Sequence, residues 1–401
     1  MKSDRIYLDN SATTPLRADV ADAMREACET NYNPNSLHDE GRRARAVLDA
    51  ARERIASLLG ASRSEIVFTS SGTEANNLAL LGVARAGPAG SGVVAAATEH
   101  ASVLATCERL AEEGVKATVL PVDEDGRLPP ALFSEALHPG AILASVGYAN
   151  NEIGTVQPVA ELAEIAHRRG LLFHTDAVQA PGWLPLDVRE LGADLLSLSA
   201  HKFHGPKGVG ALFIRRGTPL APIIYGGGQE FGLRPGTQNV AGIVGMARAL
   251  ELAQLERPNE SMRVAALRDR LEAGILAAIP DVKVNGAEPR LPSILNVSFA
   301  GADSAALLIA LDLAGIAVSA GSACTSGSLE PSHVLAALGV ESRWQRGAIR
   351  FSLGMATTPA EIEQVLKAIP GLVADVRRPT GRLAGGMGTL KTNGARLERK
   401  A

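Results

Sequence analysis

From residue 65 onward, short apolar runs alternate with stretches of helical period. Glu65 to Thr69 reads as a strand and Thr73 to Ala86 as a helix. Gly92 to Ala97 and Ala101 to Glu113 repeat the pair, and Ala141 to Tyr148, Val159 to Arg169 and Leu171 to Thr175 continue it. Two more apolar runs follow, Asp194 to Ser199 and Val209 to Ile214, separated by a turn in which Gly205, Pro206 and Gly208 interrupt regular structure. Strands alternating with helices predict an α/β fold: a mostly parallel sheet covered on both faces. Ahead of this region, Ile6 to Pro15 is extended and ends in a polar turn, and helices are expected over 18–30 and 41–59. Ala44, Val47, Leu48, Ala51, Ile55 and Leu58 share one face of the second helix. Behind it, Val240 to Glu256 reads as a long helix, and Arg257-Pro258-Asn259 predicts a change of domain. Helices over 260–278, 303–314, 332–338 and 359–369, with strands over 282–284, 294–299, 316–319 and 349–353, then predict a smaller α+β domain. The expected organisation is a large domain over 16–257, a small one built from 1–15 and 258–375, and a tail over 376–401. That tail is basic, rich in glycine and without apolar period, and is expected to be disordered.

In open α/β sheets ligands bind beyond the carboxyl ends of the strands, so those positions carry the candidate chemistry. The first strand runs into Ser70-Ser71-Gly72-Thr73-Glu74, a helix N-terminus suited to a phosphate and equally a plain N-cap. The next strand ends carry Thr98-Glu99-His100, then Asn150-Asn151-Glu152, then Asp176 with Gln179 three residues on, then Ser199, His201 and Lys202. Lys202 reads either as a Schiff-base nucleophile or as a surface lysine capping a strand. Each position alone also reads as a cap or turn. Together they supply an anion cradle, a ring to stack, a carboxylate and a lysine, which are the parts that hold pyridoxal phosphate. Glycine-rich loops at Tyr225 to Glu230 and Arg234 to Asn239 follow.

Composition narrows the partners. The 401 residues are 46% apolar and 21% charged, ordinary for a globular protein with a full core, and the net charge of −3 gives no reason to expect nucleic acid or an anionic membrane. The start is polar, and no apolar stretch is long enough to span a bilayer. Three cysteines make no disulfide framework and fit a reducing, cytoplasmic compartment. Cys107 shares a helix face with Val103, Leu104, Leu110 and Ala111 and reads as a core thiol; Cys28 receives no role. Cys324 lies in Ser319 to Ser328, among small residues with nothing apolar to bury it. It reads as a thiol nucleophile or as a loop that happens to contain a cysteine.

Taken with Lys202 and Cys324, four motifs carry a resemblance: Tyr7-Leu8-Asp9-Asn10-Ser11-Ala12-Thr13-Thr14-Pro15, Asn150-Asn151-Glu152-Ile153-Gly154, Ser199-Ala200-His201-Lys202 and Ser322-Ala323-Cys324-Thr325-Ser326. From about residue 5 to residue 370 the chain resembles the cysteine desulfurases, pyridoxal-phosphate enzymes of fold-type I in the class V aminotransferase group. The run to Leu329-Glu330-Pro331-Ser332 resembles the long-loop, housekeeping and nitrogen-fixation type. The resemblance implies conversion of L-cysteine to L-alanine with a persulfide left on Cys324. It implies that Lys202 carries pyridoxal 5'-phosphate, that Asp176 pairs with the pyridine nitrogen and Gln179 with the ring hydroxyl, and that His100 stacks on the ring and assists proton transfer. Gly72, Thr73, Ser199 and His201 would hold the phosphate, helped by Thr237 from the other subunit of a homodimer, and Asn151 and Arg350 would orient the substrate. No metal is expected. The implied partner is an iron–sulfur scaffold or another sulfur acceptor protein. A selenocysteine lyase or another lyase or aminotransferase on the same cofactor is the alternative reading, and a non-catalytic scaffold the remaining one. The basic tail departs from the family pattern.

Overall fold

The structure is a computed structural model that describes residues 5–29, 32–320 and 332–378. Strand β1 (Ile6–Tyr7) precedes helices α1 (Ala18–Cys28) and α2 (Asp39–Leu58). The alternating region then runs β2 (Ile66–Thr69), α3 (Gly72–Ala86), β3 (Gly92–Ala96), α4 (Ala101–Glu112), β4 (Lys116–Leu120), α5 (Pro130–Ala136), β5 (Ala141–Ser145), α6 (Val159–Arg168), β6 (Leu172–Asp176), α7 (Val188–Leu191), β7 (Leu195–Ser199) and β8 (Gly210–Ile214). The seven strands β2 to β8 form one sheet in the order β2-β8-β7-β6-β5-β3-β4. Strand β8 is antiparallel to both neighbours, and the remaining pairs are parallel. Strands β2, β3, β7 and β8 are buried at every position, as expected for strands covered on both faces.

Helix α8 (Val240–Ala278) leads into β9 (Val282–Asn285), β10 (Ile294–Phe299), α9 (Ser304–Leu313), β11 (Ile316–Ala317), α10 (His333–Ala337), α11 (Ser342–Gln345), β12 (Ala348–Ser352) and α12 (Pro359–Arg377). Strands β12-β10-β9 make an antiparallel sheet, and β1 pairs in parallel with β11, so the N-terminus is tied to this part of the molecule. One apolar core gathers residues between Val20 and Ala253, and another gathers Ile6, Leu8 and residues from Val264 to Val373.

The structure corrects the expected break at Pro258. One helix, α8, passes through it. A proline inside a helix costs about 3 kcal/mol relative to alanine. Packing on both sides outweighs that cost: α8 lies against α1, α2 and α12, with Ile243 to Ala253 in the first core and Val264 to Ile275 in the second. Helix α12 likewise continues past the expected residue 369 and contains Pro370. Strand β4 and helix α5 had no counterpart in the sequence reading. The predicted tail lies almost wholly outside the described residues; of 376–401 only Val376, Arg377 and Arg378 are described, and Val376 and Arg377 belong to α12.

Candidate active site

The carboxyl ends of β2, β3, β6 and β7 open onto a cavity of about 350 Å³. Its lining includes Gly72, Thr73, His100, Asn151, Asp176, Gln179, Ser199, His201, Lys202 and Arg350. These ten sequence candidates therefore line one cavity, although 278 positions separate the first from the last. Thr237 does not line it. It is exposed, in the loop between the turn at Glu230–Gly232 and α8. Cys324 lies outside the described residues. Cys107 is buried as expected, its thiol pushed up to about 12 chiefly by burial, and Cys28 is exposed.

Lys202 ends a short turn, Ala200–Lys202, that follows β7 directly. Its Nζ donates to the carbonyl oxygens of Ser11 at 2.6 Å and Ala12 at 2.8 Å. The N-terminal segment thus helps hold the amine. The same segment is fastened from several sides. The Ser11 hydroxyl donates to the Asn151 carbonyl at 2.8 Å, Gln179 Nε2 donates to the Ser11 carbonyl at 3.1 Å, and Thr13 Oγ1 lies 3.1 Å from His201 Nδ1. Burial, with the charges of Lys202 and Lys207, lowers the His201 imidazole to about 4, so the ring is neutral around neutrality.

Asp176 closes β6. Asn76 Nδ2 donates to its Oδ2 at 2.7 Å and the Val178 N–H to its Oδ1 at 3.0 Å. Asn76 also donates to Ser102 Oγ at 2.9 Å, and Ser102 faces His100. His100 caps α4: its Nδ1 accepts the Ser102 N–H at 3.1 Å and lies 2.8 Å from the Ser102 hydroxyl. An Nδ1 that accepts from the backbone leaves Nε2 as the protonated nitrogen of the neutral ring.

Helix α3 supplies an anion cradle. Ser71 caps it by accepting the Glu74 N–H at 3.1 Å, and the free N–H groups of its first turn border the cavity with the positive end of the helix dipole. Gly72 has no room for a side chain: a Cβ there would sit 2.7 Å from Val178 Cγ2. At the other rim Arg350 is almost fully buried in β12. Its NH2 donates to Asp9 Oδ1 and its NH1 to the Asn151 carbonyl, both at 2.9 Å, while its Nε has no partner among the described residues. Asn151 takes part through its carbonyl, whereas the neighbouring Asn150 side chain braces the turn, donating to the Thr98 carbonyl at 2.9 Å.

Sequence reading missed Ser11, Ala12 and Asn76. Asn76 had a signal: it stands four residues after Gly72, on the same helix face. The two carbonyls had none, because any residue type supplies one.

The pattern of the class-V aminotransferase family matches residues 6–365. The chain is 48% identical over 375 residues to a cysteine desulfurase IscS of Dictyoglomus turgidum, covering 93% of this chain and 95% of that one. The chain belongs to the cysteine desulfurases of the class-V aminotransferase family. Other members resemble it as closely: a cysteine desulfurase of Cereibacter sphaeroides is 50% identical over 379 residues, 93% of this chain and 97% of its own. Cysteine desulfurase NifS of Azotobacter vinelandii is 44% identical over 375 residues, 93% of each chain. A solved NifS-like protein superposes with a TM-score of 0.87 at 39% identity, over 92% of this chain and all of its own. The family's fold-type I architecture is the one described above, and its cofactor is pyridoxal phosphate. The cavity fits that group on its own terms: its lining combines an anion cradle at α3 with no Cβ in the way, a hydrogen-bonded carboxylate and a lysine.

Proposed function

We propose that the chain converts L-cysteine to L-alanine and keeps the released sulfur as a persulfide on Cys324, for transfer to a thiol of an acceptor protein. The observation that carries the reading is that Lys202, the first turn of α3, Asp176 and Arg350 line one cavity. The family relationship supports it. Overall, cysteine and the Cys324 thiol give alanine and the Cys324 persulfide. The substrate C–S bond breaks, an S–S bond forms, the carbon is reduced and the enzyme sulfur is oxidised, so no outside oxidant is needed.

When bound, pyridoxal phosphate supplies an electron sink for the substrate Cα. The residues act around it. Gly72, Thr73, Ser199 and His201 would hold the phosphate, and a neutral His201 would leave net charge compensation to the helix dipole and backbone donors. Asp176, fixed by Asn76 and Val178, would be the counter-charge for the ring nitrogen, Gln179 would partner the ring hydroxyl, and His100 would stack on the ring. Arg350, held by Asp9 and the Asn151 carbonyl, would grip the substrate carboxylate, aided by Asn151. Lys202 Nζ, released from the Ser11 and Ala12 carbonyls, takes the Cα proton.

The large domain over 16–257 carries these cofactor contacts, and the small one contributes Arg350 and the Cys324 segment. The active form is proposed to be a cytoplasmic homodimer in which Thr237 reaches the partner's phosphate site; its exposure and its absence from its own cavity favour this. The acceptor is proposed to be an iron–sulfur scaffold or another sulfur-accepting protein.

The test is Lys202→Ala. Alanine formation from cysteine is expected to fall by at least about 1,000-fold, the scale set by loss of a group that both binds covalently and transfers a proton. Turnover near the wild-type rate would refute the assignment.

A further inference from the structure

The reading above leaves one buried carboxyl of the cavity without a task. Glu99 ends the segment after β3 and lines the cavity, yet it is only 4% exposed. Its Oε1 accepts one hydrogen bond, the Gly147 N–H at 2.8 Å, and its Oε2 has no partner among the described residues. Gly147 packs beside it: a Cβ there would lie in ordinary contact, 3.5 Å from Oε2 and 3.6 Å from Oε1. A carboxylate stripped of water needs several donors or a cation to stay ionised, and a like charge nearby opposes ionisation further. Glu99 has one backbone donor, with Asp176 as the like charge acting on it.

We propose that Glu99 is a positioning residue of the cofactor site, kept as the neutral acid, so that it presents an O–H donor to the cavity floor and leaves Asp176 as the single negative charge there. The proposal rests on the reading of Asp176 as partner of the cofactor's ring nitrogen. Two ionised carboxyls on the floor would set their mutual repulsion against that partnership. With Glu99 neutral, Asp176 keeps its Asn76 and Val178 hydrogen bonds and its charge. Burial, with the Asp176 charge adding to it and the Gly147 hydrogen bond opposing, raises the Glu99 carboxyl to about 8, consistent with this state.

The other titratable groups around Glu99 are His100 beside it, Cys107 on α4, and His333 of α10, whose Nε2 lies 3.0 Å from the Glu99 carbonyl. Cys107 stays a neutral thiol throughout. A group whose folded pKa lies above its unfolded value binds more protons in the folded state. Glu99 therefore removes stability as pH rises from about 4.5 to about 8, and Glu99→Gln, fixed in the neutral form, does not.

The experiment is infrared spectroscopy of the holoenzyme in heavy water with variants Glu99→Gln and Glu152→Gln. Glu152 is included because burial raises its carboxyl too, against a hydrogen bond from Ser332. At neutral pH the wild type is expected to show a protonated-carboxyl carbonyl band that persists in Glu152→Gln and is lost in Glu99→Gln. The band is expected to disappear as pH rises through about 8, and in Asp176→Asn to disappear at lower pH. Glu99→Gln is expected to bind pyridoxal phosphate within about threefold of wild type and to gain stability relative to it as pH rises. An unchanged acid band in Glu99→Gln, or binding weakened more than about tenfold, would overturn the proposal. Should that variant fail to fold, the pH titration of the band remaining in Glu152→Gln decides: absence of any acid band at neutral pH overturns the proposal. A wild type that binds no pyridoxal phosphate would defeat the proposed function, whatever the infrared bands show.

Discussion

Gly72 is the residue where backbone and cofactor site constrain each other most closely. An added methyl would have to push Val178 Cγ2 from 2.7 Å and sits 3.4 Å from Ser199 Cβ, so the α3 cradle must move to admit it. Gly72→Ala is expected to weaken pyridoxal phosphate binding by about tenfold or more while leaving the melting temperature nearly unchanged, as measured by cofactor titration and calorimetry. His174 makes a different demand. It is wholly buried within β6, its Nδ1 2.8 Å from Ser145 Oγ and its Nε2 2.9 Å from Ser197 Oγ, and burial lowers it to about 4 against the raising influence of Asp176. The unfolded chain then binds more protons than the folded one between about pH 6.5 and 4, so stability is lost as pH falls through that window. The loss is expected to be on the order of 3 kcal/mol, and to shrink in His174→Gln; denaturant titrations across the window measure it. At this scale the sequence was informative about strand-end residues such as Asp176, Ser199 and Lys202, because a parallel sheet carries all such ends to one edge. It was silent on the Ser11 and Ala12 carbonyls, since their role depends on segments far apart in the chain meeting in space.

Among the elements, the glycine-rich loop before α8 shows what local pattern cannot reveal. Glu230 and Phe231 take φ of 46° and 60°, which non-glycine residues seldom adopt. The conformation is held from within: Arg52 of α2 donates to both Glu230 oxygens at 2.6 and 2.7 Å, the Phe68 N–H of β2 donates to Oε2 at 2.9 Å, and the Gln238 amide donates to Oε1 at 3.1 Å. Both charged side chains are almost completely buried, at 4% and 1% exposure. Nothing in the sequence sets Arg52 apart from the other arginines of α2. Removing one partner strands the other charge, so Glu230→Ala is expected to cost about 3–5 kcal/mol, whereas Arg52→Met with Glu230→Leu is expected to cost less than the two single changes summed. Additive losses would show that the pair does not act as a unit. Strand β4 escaped the sequence reading for a related reason: it lies at the sheet edge, half exposed, and Lys116-Ala117-Thr118-Val119-Leu120 offers no buried run to detect. Pro258 misled in the opposite direction, its local signal outweighed by two cores packed on one helix.

At the scale of the whole molecule, the N-terminal segment is what joins the parts of the site. It pairs with β11 through β1, bridges to Ser352 at Asp9, and then crosses to hold Lys202. Arg350, in the small sheet, and Lys202, after the large one, thereby face one cavity, and the substrate is proposed to lie between them. Sulfur is proposed to leave cysteine in this cavity and to be captured by Cys324. Mass spectrometry of peptides from the holoenzyme after brief exposure to L-cysteine is the decisive experiment, with Cys324→Ser as the companion. One added sulfur is expected on the Cys324 peptide of the wild type, with alanine released in matching amount, and neither in the variant. Sulfur found mainly on Cys28 or Cys107, or alanine formed at the wild-type rate by Cys324→Ser, would contradict the proposal.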